Sequence, residues 1–304
     1  MKLNKRFVRG IVAGMALMAM GCEPVDMAVP SFLHVESMDL VVPSEGAVST
    51  DTGFYTSDIR GVYVSMLRPN SMIEDTIGFF TLPFSTPILF NGEAKYLLFS
   101  PAVSQSGSSS RLPYYTFYKT LKMDNPEFAA GDTLDMGTLH TTYNIKMSDL
   151  HLFEPFEPTQ GSLKFDSVMQ WKRDAAPGEA RSGVGYGYVF LPDTTVTLAF
   201  NCTREFIVTD PTKAVYLEMD LKSDVELNVY MYAPEIAGGN PKEKGVMNLY
   251  KTGDDWKHLY INLWPTWKEF NFNPFELHFV AVNKEGTGGY VRLDNVKVIT
   301  TSNL

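Results

Sequence analysis

The sequence predicts an all-β protein: an N-terminal immunoglobulin-like β-sandwich followed by a second β-sandwich, behind an amino-terminal export signal. Three observations predict it. Short apolar-alternating runs recur along the chain, each bounded by Gly, Pro, Asn or Asp turns. Beyond the leader, no longer window shows a capped 3.6-residue apolar period. The chain has 304 residues, more than one hydrophobic core usually covers, so two bodies are expected. The division expected is a leader over 1–21, a tether over 22–30, a first sandwich over 31–144, a linker over 145–160 and a second sandwich over 161–304.

The leader carries Lys2, Lys5, Arg6 and Arg9 ahead of an apolar run from Gly10 to Gly21. That is the charge and hydropathy order of an export signal, and the run falls short of the roughly 20 apolar residues that a spanning helix needs. Met18-Ala19-Met20-Gly21-Cys22 reads as a lipobox, in which a small residue admits the peptidase and the Cys22 thiol takes a diacylglycerol. Cys22 is therefore the expected lipidation site and first mature residue, with the membrane as partner through its acyl chains. Cys202, the other cysteine, follows the apolar run Val196 to Phe200 and is expected to pack as a small hydrophobe.

The chain holds 26 basic and 35 acidic residues. Without the four basic residues of the leader the balance is 22 to 35, a net −13. Such a charge repels polyphosphate, so nucleic acid is excluded as a partner, and no basic patch is expected to hold the chain to anionic lipid.

In the first sandwich, strands are expected around Phe32 to Val42, Ile59–Leu67, Ile73–Leu82, Lys95–Phe99, Tyr115–Met123 and Leu134–Tyr143. Turn chemistry separates them, as at Arg68-Pro69-Asn70 and Ala130-Gly131-Asp132. His34, between Leu33 and Val35, is expected to be a packing residue, since no second ligand is spaced for zinc. The segment from Val29 to Ser37, together with Thr81 to Leu89 and Leu139 to Tyr143, resembles a group of Bacteroidota outer-membrane lipoproteins. That resemblance implies an outer-membrane address and a β-sandwich body, and transfers no catalytic residue. Glu23 and Asp26 are too sparse to assign the periplasmic or the cell-surface face.

Ile145 to Gln160 contains Pro155, Pro158 and three acids, a composition suited to a linker. Its Phe153 and Phe156 either cover the seam between the sandwiches or dock on a neighbour.

The second body shows eight strand candidates: Leu163–Trp171, Gly187–Pro192, Thr195–Phe200, Ala214–Leu221, Glu226–Ala233, Lys257–Trp264, Glu276–Val282 and Tyr290–Ile299. Val215 to Leu221 alternates apolar and polar residues, which predicts one buried and one wetter sheet face. The closing phrase Gly289 to Ile299, with Leu293-Asp294-Asn295-Val296, resembles the last strand of galactose-binding-like jelly rolls. The resemblance implies a jelly-roll fold of the carbohydrate-binding-module type and a glycan as ligand.

Aromatics that could stack on sugar C–H faces concentrate at Tyr186 and Tyr188, and at Trp264 and Trp267, where Pro265 and polar neighbours suggest a loop. Asp294 and Asn295 are candidate ligands of a structural calcium, the only cofactor expected, with Asp166 or Glu179 as completing acids. There is no Gly-x-Ser-x-Gly elbow, phosphate loop, His-Glu-x-x-His or Cys-x-x-Cys, so no enzyme is expected. The expectation is a non-catalytic outer-membrane lipoprotein that binds a glycan or another surface ligand. The alternative is a structural accessory subunit docked on an outer-membrane β-barrel partner in a transport, assembly or secretion complex.

Overall fold

The computed structural model describes residues 29–301, apart from 91, 107–111, 160–162, 209, 211, 213, 235–239 and 271–273. The leader, Cys22 and most of the tether lie outside the described residues.

The first body is built from β1 (Ser31–Val35), β2 (Ser37–Leu40), β3 (Ile59–Leu67), β4 (Asp75–Thr81), β5 (Phe84–Ile88), β6 (Gly92–Glu93), β7 (Tyr96–Val103), β8 (Leu121–Asp124), β9 (Glu127–Phe128), β10 (Thr133–Asp135) and β11 (Thr138–Thr141). One layer has the order β10-β1-β5, and β2 pairs with β11; β1 and β2 run parallel to β10 and β11, with Leu33 opposite Leu134 and Met38 opposite Leu139. The other layer is the antiparallel sheet β4-β3-β7-β8. Because strand side chains alternate faces, Leu33, Val35 and Met38 from one layer meet Val62, Val64, Met66, Leu97 and Phe99 from the other in a single core. Of the expected strand Tyr115–Met123, only its end pairs in β8. Tyr115 to Tyr118 instead leaves the sheet and turns its rings toward the second body.

The second body comprises β12 (Leu150–Glu154), β13 (Gln170–Lys172), β14 (Tyr186–Leu191), β15 (Thr197–Asn201), β16 (Val215–Ser223), β17 (Glu226–Ala233), β18 (Lys242–Leu249), β19 (Lys257–Asn262), the helix α1 (Trp264–Phe270), β20 (Glu276–Val282) and β21 (Gly289–Thr300). One sheet runs β13-β14-β21-β16-β19, with β12 beside the far half of β21; the other runs β15-β20-β17-β18. From β14 to β21, every connection except the β17–β18 hairpin crosses from one sheet to the other. That alternation defines a jelly roll.

The alternation in β17 sends Leu227, Val229 and Met231 inward and leaves Asn228, Tyr230 and Tyr232 half-buried on the outside. Of the expected strand Leu163–Trp171 only the end pairs, in β13, and two strands appear that the sequence did not lead one to expect. Leu150–Glu154, expected in a linker, is a strand hydrogen-bonded to Val296–Ile299, and the prolines that suggested a linker stand just beyond its end. Lys242–Leu249 forms the edge strand β18, whose charged outer residues conceal the strand pattern and also guard a sheet edge against pairing.

A larger correction concerns β16. Its apolar set, Val215, Leu217, Met219 and Leu221, fills the sandwich, as the alternation predicts. The opposite face is not wet: Tyr216, Glu218 and Asp220 are buried too. The first body covers them, laying Phe54, Tyr55, Tyr115, Phe117, Tyr118 and Tyr143 over Tyr216, Tyr260 and Ile299 as a continuous aromatic seam. Tyr115 packs edge-to-face on Tyr260 at 4.9 Å and on Tyr216 at 5.3 Å, an arrangement favoured by the ring quadrupoles. Phe153 joins this seam by an edge contact to Phe54, whereas Phe156 lies in the core of the second body.

Candidate functional site

The sheet β13-β14-β21 extends past the part that the first body covers, and its outer face there carries an aromatic ridge. In β14 the inward positions are Val189 and Leu191, so Tyr186, Tyr188 and Phe190 share the other face. Register places Lys172 opposite Tyr186, Arg292 opposite Tyr188 and Tyr290 opposite Phe190. The rings follow one another, Tyr186 to Tyr188 at 6.1 Å, Tyr188 to Tyr290 at 6.0 Å and Tyr290 to Phe190 at 4.7 Å, with the Arg292 guanidinium 4.6 Å above Tyr290. Phe190 is 47% exposed and Tyr290 37%. Beside the ridge lies a concavity of about 280 Å³ lined by Lys172, Glu179, Tyr186, Tyr188, Tyr290 and Arg292.

Its charges are held in place. The Tyr186 hydroxyl donates to Glu179 Oε1 at 2.6 Å, and Ala176 N–H donates to Glu179 Oε2 at 3.0 Å. These bonds hold the Glu179 carboxyl below its usual range, while burial and the bond to Glu179 push Tyr186 up to about 12. Lys172 pairs with Asp174 at 3.2 Å and Arg292 with Asp224 at 3.7 Å. The concavity therefore presents ring faces flanked by an ionised carboxylate and two cations. It can stack on apolar ring faces and bond hydroxyl groups. Among the described residues that line it, Glu179 is the one carboxylate.

The other expected site residues are placed elsewhere. Trp264 and Trp267 are not in a loop: Asn262 Oδ1 accepts the Trp264 N–H at 3.0 Å, Pro265 fits the first turn, and α1 follows. Trp267 is only 4% exposed and belongs to the sandwich core, and Trp264 packs against that core with Lys268 over its ring. Neither ring joins the ridge, so both are corrected to structural residues.

Asp294 and Asn295 are buried and already bonded. Asp294 Oδ2 accepts from the backbone of Arg181 and Ser182, Asp294 Oδ1 accepts from Asn295 N, and Asn295 donates to Asp220 at 3.0 Å. Asp166 accepts from Val168 N in its own turn and from Asn201 N at the end of β15, and Glu179 lies on the ridge, so neither is bonded into this cluster. Among the described residues, no group of three or more His, Cys, Asp or Glu could hold a metal ion. The donors around Asp294 are N–H groups that a calcium would have to displace.

Cys202 is buried, and its burial pushes the thiol up to about 11, which makes it a packing residue rather than a nucleophile. His34 is half-buried and bonds Ser85 Oγ at 3.0 Å. Sequence reasoning missed Phe190, Tyr290 and Arg292 as site residues. The alternation Tyr186-Gly187-Tyr188-Val189-Phe190 carried the first, but the pairing that brings Tyr290 and Arg292 beside it is set by the distant closing strand.

The second feature that the sequence did not reveal is a cluster of charges inside the seam. Glu218 receives Tyr115 OH at 2.6 Å, Tyr143 OH and Lys297 Nζ at 2.8 Å. Asp220 receives Thr56 Oγ1 at 2.7 Å, and His258 Nδ1 lies 3.0 Å from it. His258 Nε2 stands 3.7 Å from Glu218. Burial alone would raise Glu218, but Lys297 and His258 overcome it and hold the carboxyl at about 2. Burial opposes the charged imidazole, and Asp220 outweighs it, so His258 lies above its usual value.

No family model matches the sequence, and no curated protein matches it. Solved structures similar to the chain include the CBM22-1 xylan-binding domain of Paenibacillus barcinonensis Xyn10C, at 13% identity and a TM-score of 0.35, covering 51% of this chain and 97% of that one. A family 30 carbohydrate-binding module is similar at 13% identity and a TM-score of 0.35, covering 46% and 80%. A family 61 module in complex with β-1,4-galactotriose is similar at 14% identity and a TM-score of 0.29, covering 44% and 84%.

Proposed function

We propose that this protein is a non-catalytic, lipid-anchored outer-membrane protein that binds a glycan on the aromatic ridge of its jelly roll. The observation that carries the reading is the run of rings from Tyr186 through Tyr188 and Tyr290 to Phe190, with Arg292 and Glu179 beside it. Partly exposed aromatic rings recognise the C–H face of a pyranose, and fixed polar groups at their rim select among hydroxyl patterns. The lipobox ending at Cys22 supports the anchor, and the acidic mature chain supports attachment by acyl chains rather than by a basic surface.

The test has two arms. The mature chain without its lipid is run through gels containing a panel of plant, fungal and bacterial polysaccharides, where retention by at least one is expected and retention by none overturns the reading. Fractionation of cells that express the full chain and its Cys22→Ser variant tests the anchor. The native chain is expected in outer membranes and the variant released; equal membrane association overturns that part.

A second reading, an accessory subunit of a β-barrel complex, draws on exposed apolar side chains at the start of the first body. Leu89 follows the end of β5, which pairs with Ser31, and Met72 and Ile73 lie in the β3–β4 turn. Crosslinking in native membranes separates the readings, since a subunit should be captured with one barrel in fixed proportion.

A further inference from the structure

A cleft of about 540 Å³ lies where the first body meets the open edge between β18 and β19 of the jelly roll. Both bodies build it. The first contributes Asp58, Arg60, Ser104 and Ser106; the second contributes the ends of β16, β18 and β19 and the turn at Tyr250 and Thr252. Small-molecule sites of this size recur at interfaces between domains, and this cleft is separate from the ridge, with which it shares no lining residue.

Its shape is fixed by contacts that cross the seam. Tyr260 OH accepts the Asp58 N–H at 2.9 Å, and Tyr260 O accepts the Ser106 N–H at 2.7 Å. Gln105 forms an isolated parallel bridge with Tyr260. Ser106 holds a left-handed backbone at φ 57, a conformation that non-glycine residues keep only where their surroundings enforce it. His258, locked between Asp220 and Glu218, forms part of the wall.

The lining is chemically uneven. Half-buried Met247 and Leu259 give it an apolar part, and Tyr250, 79% exposed, supplies an aromatic edge. Ser104, Ser106, Thr252 and Asn248 are polar. The solvent-facing cations, Arg60 and Lys257, come from opposite bodies and outnumber the single carboxylate of Asp58, which holds Arg60 at 2.7 Å. Lys257 has only a 3.6 Å partner in Asp255, which lies outside the cleft. With two cations and one carboxylate in its lining, the cleft offers an anion two cationic contacts.

We propose that this cleft is a second binding site, independent of the ridge, for a sugar that bears a carboxylate. Its anionic group meets Arg60 and Lys257, its ring face meets Tyr250 and the apolar part, and its hydroxyls meet the polar residues. Because the ligand touches both bodies, its binding also strengthens their association.

The test is calorimetry on the mature chain with disaccharides ending in glucuronate, galacturonate or mannuronate, each beside its neutral hexose counterpart. At least one uronate is expected to bind, with its neutral counterpart at least tenfold weaker. Arg60→Gln and Lys257→Gln are each expected to weaken that uronate at least tenfold, and raised salt to weaken it further. Lys257 is half-exposed, so its variant remains informative if Arg60→Gln lowers stability. Tyr188→Ala/Tyr290→Ala, which removes the ridge, is expected to leave uronate binding unchanged. The proposal is overturned if no uronate binds, if the neutral sugars bind equally well, if the cleft variants retain full affinity, or if the ridge variant abolishes uronate binding.

Discussion

Lys297 Nζ of the closing strand lies 2.8 Å from Glu218 Oε2 of β16, and both side chains are fully buried beneath the first body. Lys297 also donates to Phe54 O at 2.9 Å and Tyr143 OH at 2.7 Å, so a charge pair of the jelly roll is completed by groups of the first body. An isolated charge in such a place would be prohibitive; the pair itself belongs to the jelly roll, and the first body shields it from water and adds the bonds from Phe54, Tyr115 and Tyr143.

Lys297→Met is expected to cost about 3–5 kcal/mol, because it removes the nearer of the two cations that compensate the buried Glu218. Denaturant unfolding checks this. Tyr115→Phe, which removes one bond to the same carboxylate, should cost about 2 kcal/mol. In the double variant the two losses should fall short of their sum, since both act on Glu218.

The cluster also gives stability a two-sided pH dependence. The groups facing His258 and Glu218 are Asp220 on β16, Asn295 and Lys297 on β21, Tyr260 on β19, Tyr115, Tyr143 and Thr56 from the first body, and Arg181 beside Asp220. Glu218, held at about 2, contributes on the order of 3 kcal/mol that is fully present above its unfolded value of 4.5 and lost as pH falls toward 2. Asp220, also lowered, acts in the same direction. Asp294, which burial raises well above its usual value, acts in the opposite direction and offsets part of the acid loss. His258 is raised, so its contribution is complete below 6.5 and is lost as pH climbs through its folded value. Thermal midpoints across pH should show a maximum in the mildly acidic range. His258→Gln should flatten the alkaline decline, and an unchanged profile would contradict the role assigned to His258.

Gly53 sits in a 3-10 turn, where a Cβ would come within 2.2 Å of Asn295 Oδ1 and 2.4 Å of Ser182 Oγ. Gly53→Ala is expected to push the turn off the sheet and disturb the Asn295–Asp220 bond, at about 1–3 kcal/mol. Faster proteolysis between the bodies should accompany the loss, and unaltered stability would show that the seam tolerates more slack than its geometry implies.

Trp267→Ala and Tyr290→Ala should behave oppositely. Truncating Trp267 opens a cavity in the sandwich core and should cost about 3–5 kcal/mol. Truncating the partly exposed Tyr290 should leave the unfolding midpoint nearly unchanged and act on glycan retention.

Much of the second body was legible because its strands alternate. Glu226–Ala233 and Glu276–Val282 match their strands end to end, since each has one face on the core and one outside. The same rule failed on Glu218 and Asp220: a polar strand face looks identical whether water or another domain lies above it. Only the partner rings, spread from Phe54 to Tyr143, reveal which it is. Tyr186 and Tyr188 stood out by their spacing, whereas Trp264 and Trp267 misled because a seven-residue helix gives too little periodicity to show against a proline. Tyr290 and Arg292 follow from register, which the sequence of either strand alone does not specify.

The most direct test of glycan binding on the ridge is calorimetry with whichever polysaccharide the native mature chain retains, comparing Tyr188→Ala/Tyr290→Ala with Trp264→Ala. The ridge variant is expected to lose at least tenfold in affinity at an unchanged unfolding midpoint, while Trp264→Ala keeps its affinity. Undiminished binding by the ridge variant, or a loss confined to Trp264→Ala, would contradict the account.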